Sequence, residues 1–242
     1  MPKNSQAEDR SGTPNGQSPV SGSRPCDGCR FVQEADHRIA NHLAMLAAFV
    51  RLKELELERD PAVPTAEAFQ ILLETIRTQT NAVAQLHRLM ASNGSHASAD
   101  LAEHLHATCG PLASLLAGRV EMIEDFSPGC QVSPDQVLPL TQIVSEAVTN
   151  AVKHAYPSGQ RGKILVRSVR DNLGGFAIEI ADDGPGLPPA LGLEGAGGLG
   201  LRLMRALSKQ LGARLEFRSR NPGALVRLTL PMGAVQGLHA DA

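Results

Sequence analysis

The sequence predicts a two-helix hairpin followed by an α+β two-layer sandwich, on three observations. Apolar residues recur at three- and four-residue steps on both sides of a proline-rich break at residues 60–64. Later segments alternate apolar and polar residues with a period of two and are separated by turn signals. Helical patterns are interleaved with those segments, which places helices on one side of a sheet.

Residues 1–25 hold five Ser, four Pro and three Gly, and only Met1, Ala7 and Val20 are apolar. Such a stretch cannot bury enough surface to offset its ordering entropy, so residues 1–27 are expected to be a disordered tail. Cys26 and Cys29 stand at C-x-x-C spacing without a second such pair, and read as incidental cysteines at a helix entrance. From Arg30 to Arg59, Val32, Ala35, Ile39, Leu43, Leu46, Val50 and Leu57 form one helical stripe, with Met45, Phe49 and Leu52 beside it. Pro61 and Pro64 end this helix, because proline cannot continue the hydrogen-bond ladder. Thr65 is the expected N-cap of a second helix, with Phe69, Leu72, Ile76, Val83, Leu86 and Met90 on its apolar side. Residues 28–95 therefore make a helical hairpin. One hairpin is half of a four-helix bundle, so a homodimer is expected to complete it.

Residues 96–242 mix the two periods. Asp100–Leu116 reads as a helix interrupted at Gly110-Pro111, Arg119–Phe126 as a strand, and Asp135–Tyr156 as a helix with Leu140, Val144, Ala147, Val148, Ala151 and Val152 inside. Lys163–Val169 and Phe176–Ala181 are strands joined by Asn172-Leu-Gly-Gly, a hairpin signal. Gly200–Leu211 is helical, and Arg214–Ser219 and Ala224–Leu230 are strands around Asn221-Pro-Gly. An antiparallel sheet is expected.

Composition excludes several classes. A net charge of −2 lacks the basic excess of a nucleic-acid binder, and 3% aromatic residues leave little to stack on bases. The apolar run Leu43–Val50 is far short of the roughly 20 residues that cross a bilayer, so no membrane association is expected. The N-terminus shows no apolar signal core, and a cytoplasmic protein is expected.

Two motifs carry chemistry. In Glu146-x-x-x-Asn150 the spacing puts an acid and an amide on one helix face, where they can hold a hydrated Mg²⁺ and align an attacking group. Asp182-Asp-Gly-Pro-Gly186 follows at a strand end, where Asp182 can accept a hydrogen bond from an exocyclic amine and Gly184 and Gly186 let backbone approach a flat base. Gly198-Leu-Gly200 then opens a helix, whose free N–H groups favour phosphate. Gly195–Gly200 also spells G-x-G-x-x-G, but the dinucleotide fingerprint needs a strand directly before it, and Leu187-Pro-Pro-Ala-Leu-Gly stands there instead.

This ordered set, over about residues 100–231, resembles the GHKL ATPase superfamily of gyrase, Hsp90, MutL and histidine kinases. By that resemblance Glu146 and Asn150 form the N-box, with Mg²⁺ on Asn150. Asp182, Gly184 and Gly186 form the adenine box, and Gly198 and Gly200 the phosphate box. An ATP lid is implied between Gly186 and Gly198, and Lys153 is a candidate phosphate contact.

The first helix narrows the activity. His37 lies about 160° from the centre of the main apolar stripe, with Asp36 beside it and Asn41 one turn on. The segment Glu34-Ala-Asp-His-Arg-Ile-Ala-Asn41 resembles the phosphoacceptor helix of histidine kinases with an H-R-x-x-N motif, relatives of the HWE family. The chain has no Trp and so lacks the Trp-Glu pair that defines that family. The resemblance implies ATP-dependent phosphorylation of His37, oriented by Asp36, with transfer to an aspartate of a response-regulator receiver. It implies a water-orienting role for Asn41 in the reverse, phosphatase reaction. The signal would come from a separate sensor protein, the hairpin or the cysteine pair. Two alternatives stand: a histidine phosphotransfer adaptor with a non-catalytic ATPase-like domain, and a GHKL protein-serine kinase of the anti-sigma type.

Overall fold

The computed structural model describes residues 27–59, 65–93, 98–156, 159–170, 176–187, 198–231 and 235–237. Residues 1–26 of the expected tail, the turn at Pro61 and Pro64, the Asn172-Leu-Gly-Gly turn and most of the segment between Gly186 and Gly198 lie outside them, while Asp27, expected in the tail, opens the first helix. Helices α1 (Asp27–Arg59) and α2 (Ala66–Asn93) form the hairpin. Thr65 caps α2, its Oγ1 accepting from the Ala68 N–H at 3.1 Å.

The chain then runs β1 (Ala99–Asp100), α3 (Leu101–Leu116), β2 (Val120–Phe126), β3 (Cys130–Val132), α4 (Pro134–Ala155), β4 (Gly162–Arg170), β5 (Phe176–Asp182), α5 (Leu199–Gln210), β6 (Arg214–Ser219), β7 (Ala224–Leu230) and β8 (Val235–Gly237). The main sheet has the order β2-β4-β5-β7-β6, and β1, β3 and β8 make a small second one. Helices α3, α4 and α5 cover the main sheet and close a core of Leu105, Leu112, Leu138, Ile143, Ile164, Ile178 and Leu228. On the outer side Glu179 of the central strand takes Arg167 from β4 at 2.6 Å and Arg227 from β7 at 2.8 Å.

Three sequence expectations change. The sheet is mixed, because β2 pairs parallel with β4. The 22-residue α4 between them supplies the crossover that a parallel pair needs. Helix α3 runs unbroken through Gly110-Pro111. Buried Leu105, Cys109, Leu112 and Leu116 hold both halves on the core, and this outweighs the one backbone bond that Pro111 cannot donate. The strands β1, β3 and β8, of two or three residues each, are too short to show a period.

The hairpin docks along α3 and α4, and the docked face is not the most apolar one. On α1 it carries Arg38, His42, Met45, Phe49 and Lys53, turned by about 80° from the centre of the apolar stripe. Ile39, Leu43 and Leu57 of that stripe are exposed, as are Phe69 and Leu73 on α2. The α2 face turned inward includes Thr75, Thr78 and Gln79 beside Ala82, Val83 and Leu86. Gln142 and Ser145 share the α4 face that carries Asp135 and Glu146, and both are fully buried. Thr78 Oγ1, Gln79 Nε2, both polar atoms of Gln142 and Ser145 Oγ find no hydrogen-bond partner among the described residues. Each such group costs about 1–3 kcal/mol when water cannot reach it. The ties across the interface include ion pairs of Glu67 with Arg119 at 2.8 Å, Arg38 with Asp135 at 3.6 Å and Lys53 with Glu146 at 2.6 Å, and a hydrogen bond from Thr141 Oγ1 to Gln79 Oε1 at 3.4 Å.

The docked face also holds a stacked pair of histidines. The His42 ring is 2% exposed and stacks on His87 at 5.6 Å. Its Nε2 lies 4.0 Å from Asp135, and its Nδ1 has no partner. Burial holds the His42 pKa below the ordinary 6.5, with His87 and Arg38 adding to the shift and Asp135 opposing it. The unfolded chain therefore binds this proton more tightly. The stability from neutral His42 is complete above pH 6.5 and is lost as pH falls through the lowered value. Melting temperature should fall as pH drops below 6.5, and His42→Leu should flatten that slope. Identical slopes in wild type and variant would show that His42 does not sense pH.

Candidate functional site

Helix α4 builds the site, because its length lets it touch both glycine-rich motifs. Glu146 is 2% exposed, and both of its oxygens are engaged. Its Oε1 accepts from Asn150 Nδ2 at 3.1 Å, and its Oε2 accepts from Lys53 Nζ at 2.6 Å. The amide bond fixes Asn150 so that its Oδ1 is the end left for a cation. Both Glu146 oxygens are taken, so Asn150 Oδ1 is the atom that could hold a Mg²⁺ that keeps several of its own waters.

Gly200, in the first turn of α5, lies directly against Glu146: a Cβ there would come within 1.7 Å of Oε1. Gly198 is the N-cap of α5, and the first turn carries no acidic residue to repel an anion. Lys153 is exposed one turn beyond Asn150.

Further along α4, Ala155 packs where a Gly184 side chain would stand, at 2.4 Å from the added Cβ. Gly186 turns with φ +87°, with Ser219 Oγ 2.7 Å from the added Cβ. Gly184 and Gly186 thus first serve to bring the 182–186 turn against α4 and β6. Asp182 is partly exposed, and its Oδ1 accepts from the backbone N–H of Gly184 at 3.0 Å and of Ala224 at 3.2 Å. Its Oδ2 is left to face a ligand amine. Burial raises the Asp182 pKa, and the two N–H bonds oppose that rise.

Several residues of this frame carry no motif. The Tyr156 hydroxyl lies 2.6 Å from both Asp183 Oδ1 and the Lys163 carbonyl, and Asp183 Oδ1 accepts from the Lys163 N–H at 2.9 Å. Although burial opposes it, the Tyr156 and Lys163 bonds hold the Asp183 pKa below the ordinary carboxylate value. Gly162 must be glycine, since its Cβ would enter the Tyr156 ring at 1.8 Å. Lys53 was also missed. It is 11% exposed on α1, lies 3.0 Å from Glu56, and passes over the Phe49 ring at 5.5 Å. Burial pulls its pKa down, but Glu146 and Glu56 raise it by more. The apolar pattern of α1 gave no sign that a lysine there would be turned inward.

His37, Asp36 and Asn41 are exposed on α1 and stand apart from this cluster. About 24 Å of helix lies between His37 and Lys53. The structure thus gathers Glu146, Asn150 and Gly200 at one end of α4 and sets the expected nucleophile at a distance. Among the described residues, no helix is long and apolar enough to cross a membrane.

Comparison with known proteins agrees with this arrangement. Residues 34–116 match a family described as histidine kinase, and residues 114–230 match the histidine kinase-like ATPase domain. A blue-light-activated histidine kinase 2 of Erythrobacter litoralis is 27% identical over 219 residues, covering 88% of this chain and 60% of that protein. The sensor histidine kinase PdtaS of Mycobacterium tuberculosis is 28% identical over 84% of this chain and 39% of its own length. The chain therefore spans well under two thirds of these relatives. The solved histidine kinase domain of the Erythrobacter litoralis EL346 blue-light-activated kinase shares the fold, with a TM-score of 0.60 and 22% identity over 84% of this chain and 91% of that one.

Asp182→Asn should keep the fold, because the amide oxygen can still accept the Gly184 and Ala224 N–H groups. It places an NH₂ where Oδ2 stood, so two donors would face each other across an adenine amine. ATP affinity should fall by about a hundredfold, the weight of an unpaired buried polar contact. Calorimetry showing equal affinity would exclude Asp182 from base recognition.

Proposed function

We propose that this chain, whose residues 34–116 match a histidine kinase family and residues 114–230 a histidine kinase-like ATPase domain, is an ATP-dependent protein-histidine kinase that phosphorylates itself on His37. The observation that carries this is one chain holding an exposed histidine beside Asp36, and an α4 on which Asn150 is aimed by Glu146 against the open N-terminus of α5. The hairpin is the phosphoacceptor unit and the α/β part the ATP-binding unit.

The neutral His37 ring attacks the γ-phosphorus with the lone pair of one nitrogen. A nitrogen–phosphorus bond forms, the bond to the bridging oxygen breaks, and ADP leaves with that electron pair. Asp36 accepts a hydrogen bond from the other ring nitrogen and stabilises the charge the ring acquires. Asp182 orients the base, and the N–H groups of the first α5 turn receive phosphate oxygens. Mg²⁺ held at Asn150 would neutralise charge on the transferring group. A receiver aspartate then attacks phosphorus, the nitrogen–phosphorus bond breaks, and His37 returns to its neutral form. The 24 Å of α1 between His37 and Lys53 requires either that the hairpin shift on the ATP-binding unit or that a second copy present its histidine. The exposed Ile39, Leu43, Leu57, Phe69 and Leu73 support a homodimer through the hairpin.

Incubation with γ-labelled ATP should give an acid-labile, base-stable phosphate at His37. His37→Gln should remove that label and keep ATP binding, since nucleophile and nucleotide sit on different units. Label persisting in the variant would place the phosphate elsewhere. A wild type that fails to bind ATP would favour the phosphotransfer adaptor.

Asn41 lies one turn from His37 on the same exposed side, where a docked receiver would bring its phospho-aspartate. An amide there can hold a water in line without taking its proton. With phosphorylated regulator and ADP, Asn41→Ala should slow phosphate loss by about tenfold and leave autophosphorylation unchanged. Equal rates of phosphate loss would make Asn41 a structural residue.

A further inference from the structure

The main sheet ends on two strands of opposite charge. β2 is one edge and β6 the other, and among the described residues no strand pairs with the free side of either. A free edge presents a row of unpaired N–H and C=O groups that can take a further strand. The pairing registers put Asp125, Arg167, Glu179, Arg227 and Glu216 in one row on the outer side of the sheet. On that side β2 therefore shows Glu121, Ile123 and Asp125, and β6 shows Arg214, Glu216 and Arg218. Arg214, Arg218, Glu121, Ile123 and Asp125 are all exposed. Glu216 lies 3.1 Å from each of the two arginines, and Glu121 meets Lys163 of β4 at 2.8 Å.

We infer that these two edges dock on each other between copies of this chain, β6 of one copy against β2 of the next, so that the sheet continues from molecule to molecule. Strand direction permits it. Only the β2–β4 pair is parallel, so β6 runs opposite to β2, and a copy added in the same orientation brings the two edges together antiparallel. Charge then selects the register. With Glu216 opposite Ile123, Arg214 faces Asp125 and Arg218 faces Glu121. A two-residue shift in either direction sets Glu216 against an acid, Asp125 one way and Glu121 the other, and a one-residue slip turns every side chain to the wrong face. On the helix side the same register brings Phe217 opposite Met122, each partly buried at the margin of the core. Like edges repel instead. Two β6 strands crossing at Glu216 would oppose Arg214 to Arg218, and two β2 strands crossing at Ile123 would oppose Glu121 to Asp125. The charges that keep each edge from its own kind thus leave the other edge as the one it accepts. The contact is heterologous and leaves a free edge at each end, so copies add in a row. Its ion pairs are exposed, which makes the association weak and sensitive to salt.

Sedimentation of the full chain at low salt should show species larger than a dimer as concentration rises, and high salt should disperse them. Arg214→Glu with Arg218→Glu leaves two acidic edges, and Glu121→Arg with Asp125→Arg leaves two basic ones. Each double variant alone should lose the large species, and an equimolar mixture of the two should recover them. A second measurement needs no charge reversal. Glu216→Cys and Ile123→Cys are made separately in a chain carrying Cys26→Ser and Cys29→Ser, where the remaining Cys109 and Cys130 are buried. Under mild oxidation the mixed proteins should link 216 to 123 about tenfold faster than either links to itself, because directly opposed strand positions lie within disulfide reach. A wild type that never exceeds a dimer overturns the pairing, as does a mixture of charge variants that stays dispersed. Unlike edges that link no faster than like ones overturn it as well. Should a charge-reversed chain fail to fold, as its melting curve would show, the cysteine measurement decides alone.

Discussion

The structure turns on the carboxylate of Glu146. It is buried with two oxygens and has a partner for each, Asn150 on its own helix and Lys53 on the hairpin. Gly200 is glycine because that carboxylate fills the space beside it. One side chain thus fixes the orientation of an amide, the approach of α5 and the seat of α1. A buried acid tolerates such a position only while its partners stay. The placement of the phosphate-binding helix and the placement of the hairpin are therefore energetically linked through a single group.

The Asp182 end of the site is built differently. Asp182 is held by backbone N–H groups from its own turn and from β7, and Gly223 permits that approach, since a Cβ there would come within 1.8 Å of the Asp182 carbonyl oxygen. Tyr156 and Asp183 then tie the end of α4 to the start of β4. The Asp182 turn is thus held within the α/β unit itself, whereas the surroundings of Glu146 depend on a side chain that comes from the hairpin.

The hairpin, the five main strands and α4 and α5 were legible because each is long enough to show its period. The N-box and glycine motifs were legible because their residue types sit at fixed spacing. What escaped was set by tertiary partners. Pro111 reads as a break, yet α3 continues because the core grips both halves. The parallel pairing of β2 and β4 depends on the path of α4, which no strand pattern encodes. Lys53 and His42 look like surface residues on α1, yet Glu146 and Glu56 compensate the burial of the lysine and His42 is buried as a neutral ring. The docked face of α1 could not be found from hydrophobicity, because it is not the most hydrophobic face.

The row Arg167–Glu179–Arg227 across the outer side of the sheet has a further consequence. Strands β4, β5 and β7 are rich in interchangeable Ile, Val and Leu, so apolar packing alone would tolerate slippage between them. A one-residue slip would carry Glu179 into the core, and a two-residue slip would part it from both arginines. Asp182 ends the same strand, three residues on. The charge row therefore acts as a vernier: by locking the alignment of three strands during folding, it sets the height at which the Asp182 carboxylate emerges from the sheet.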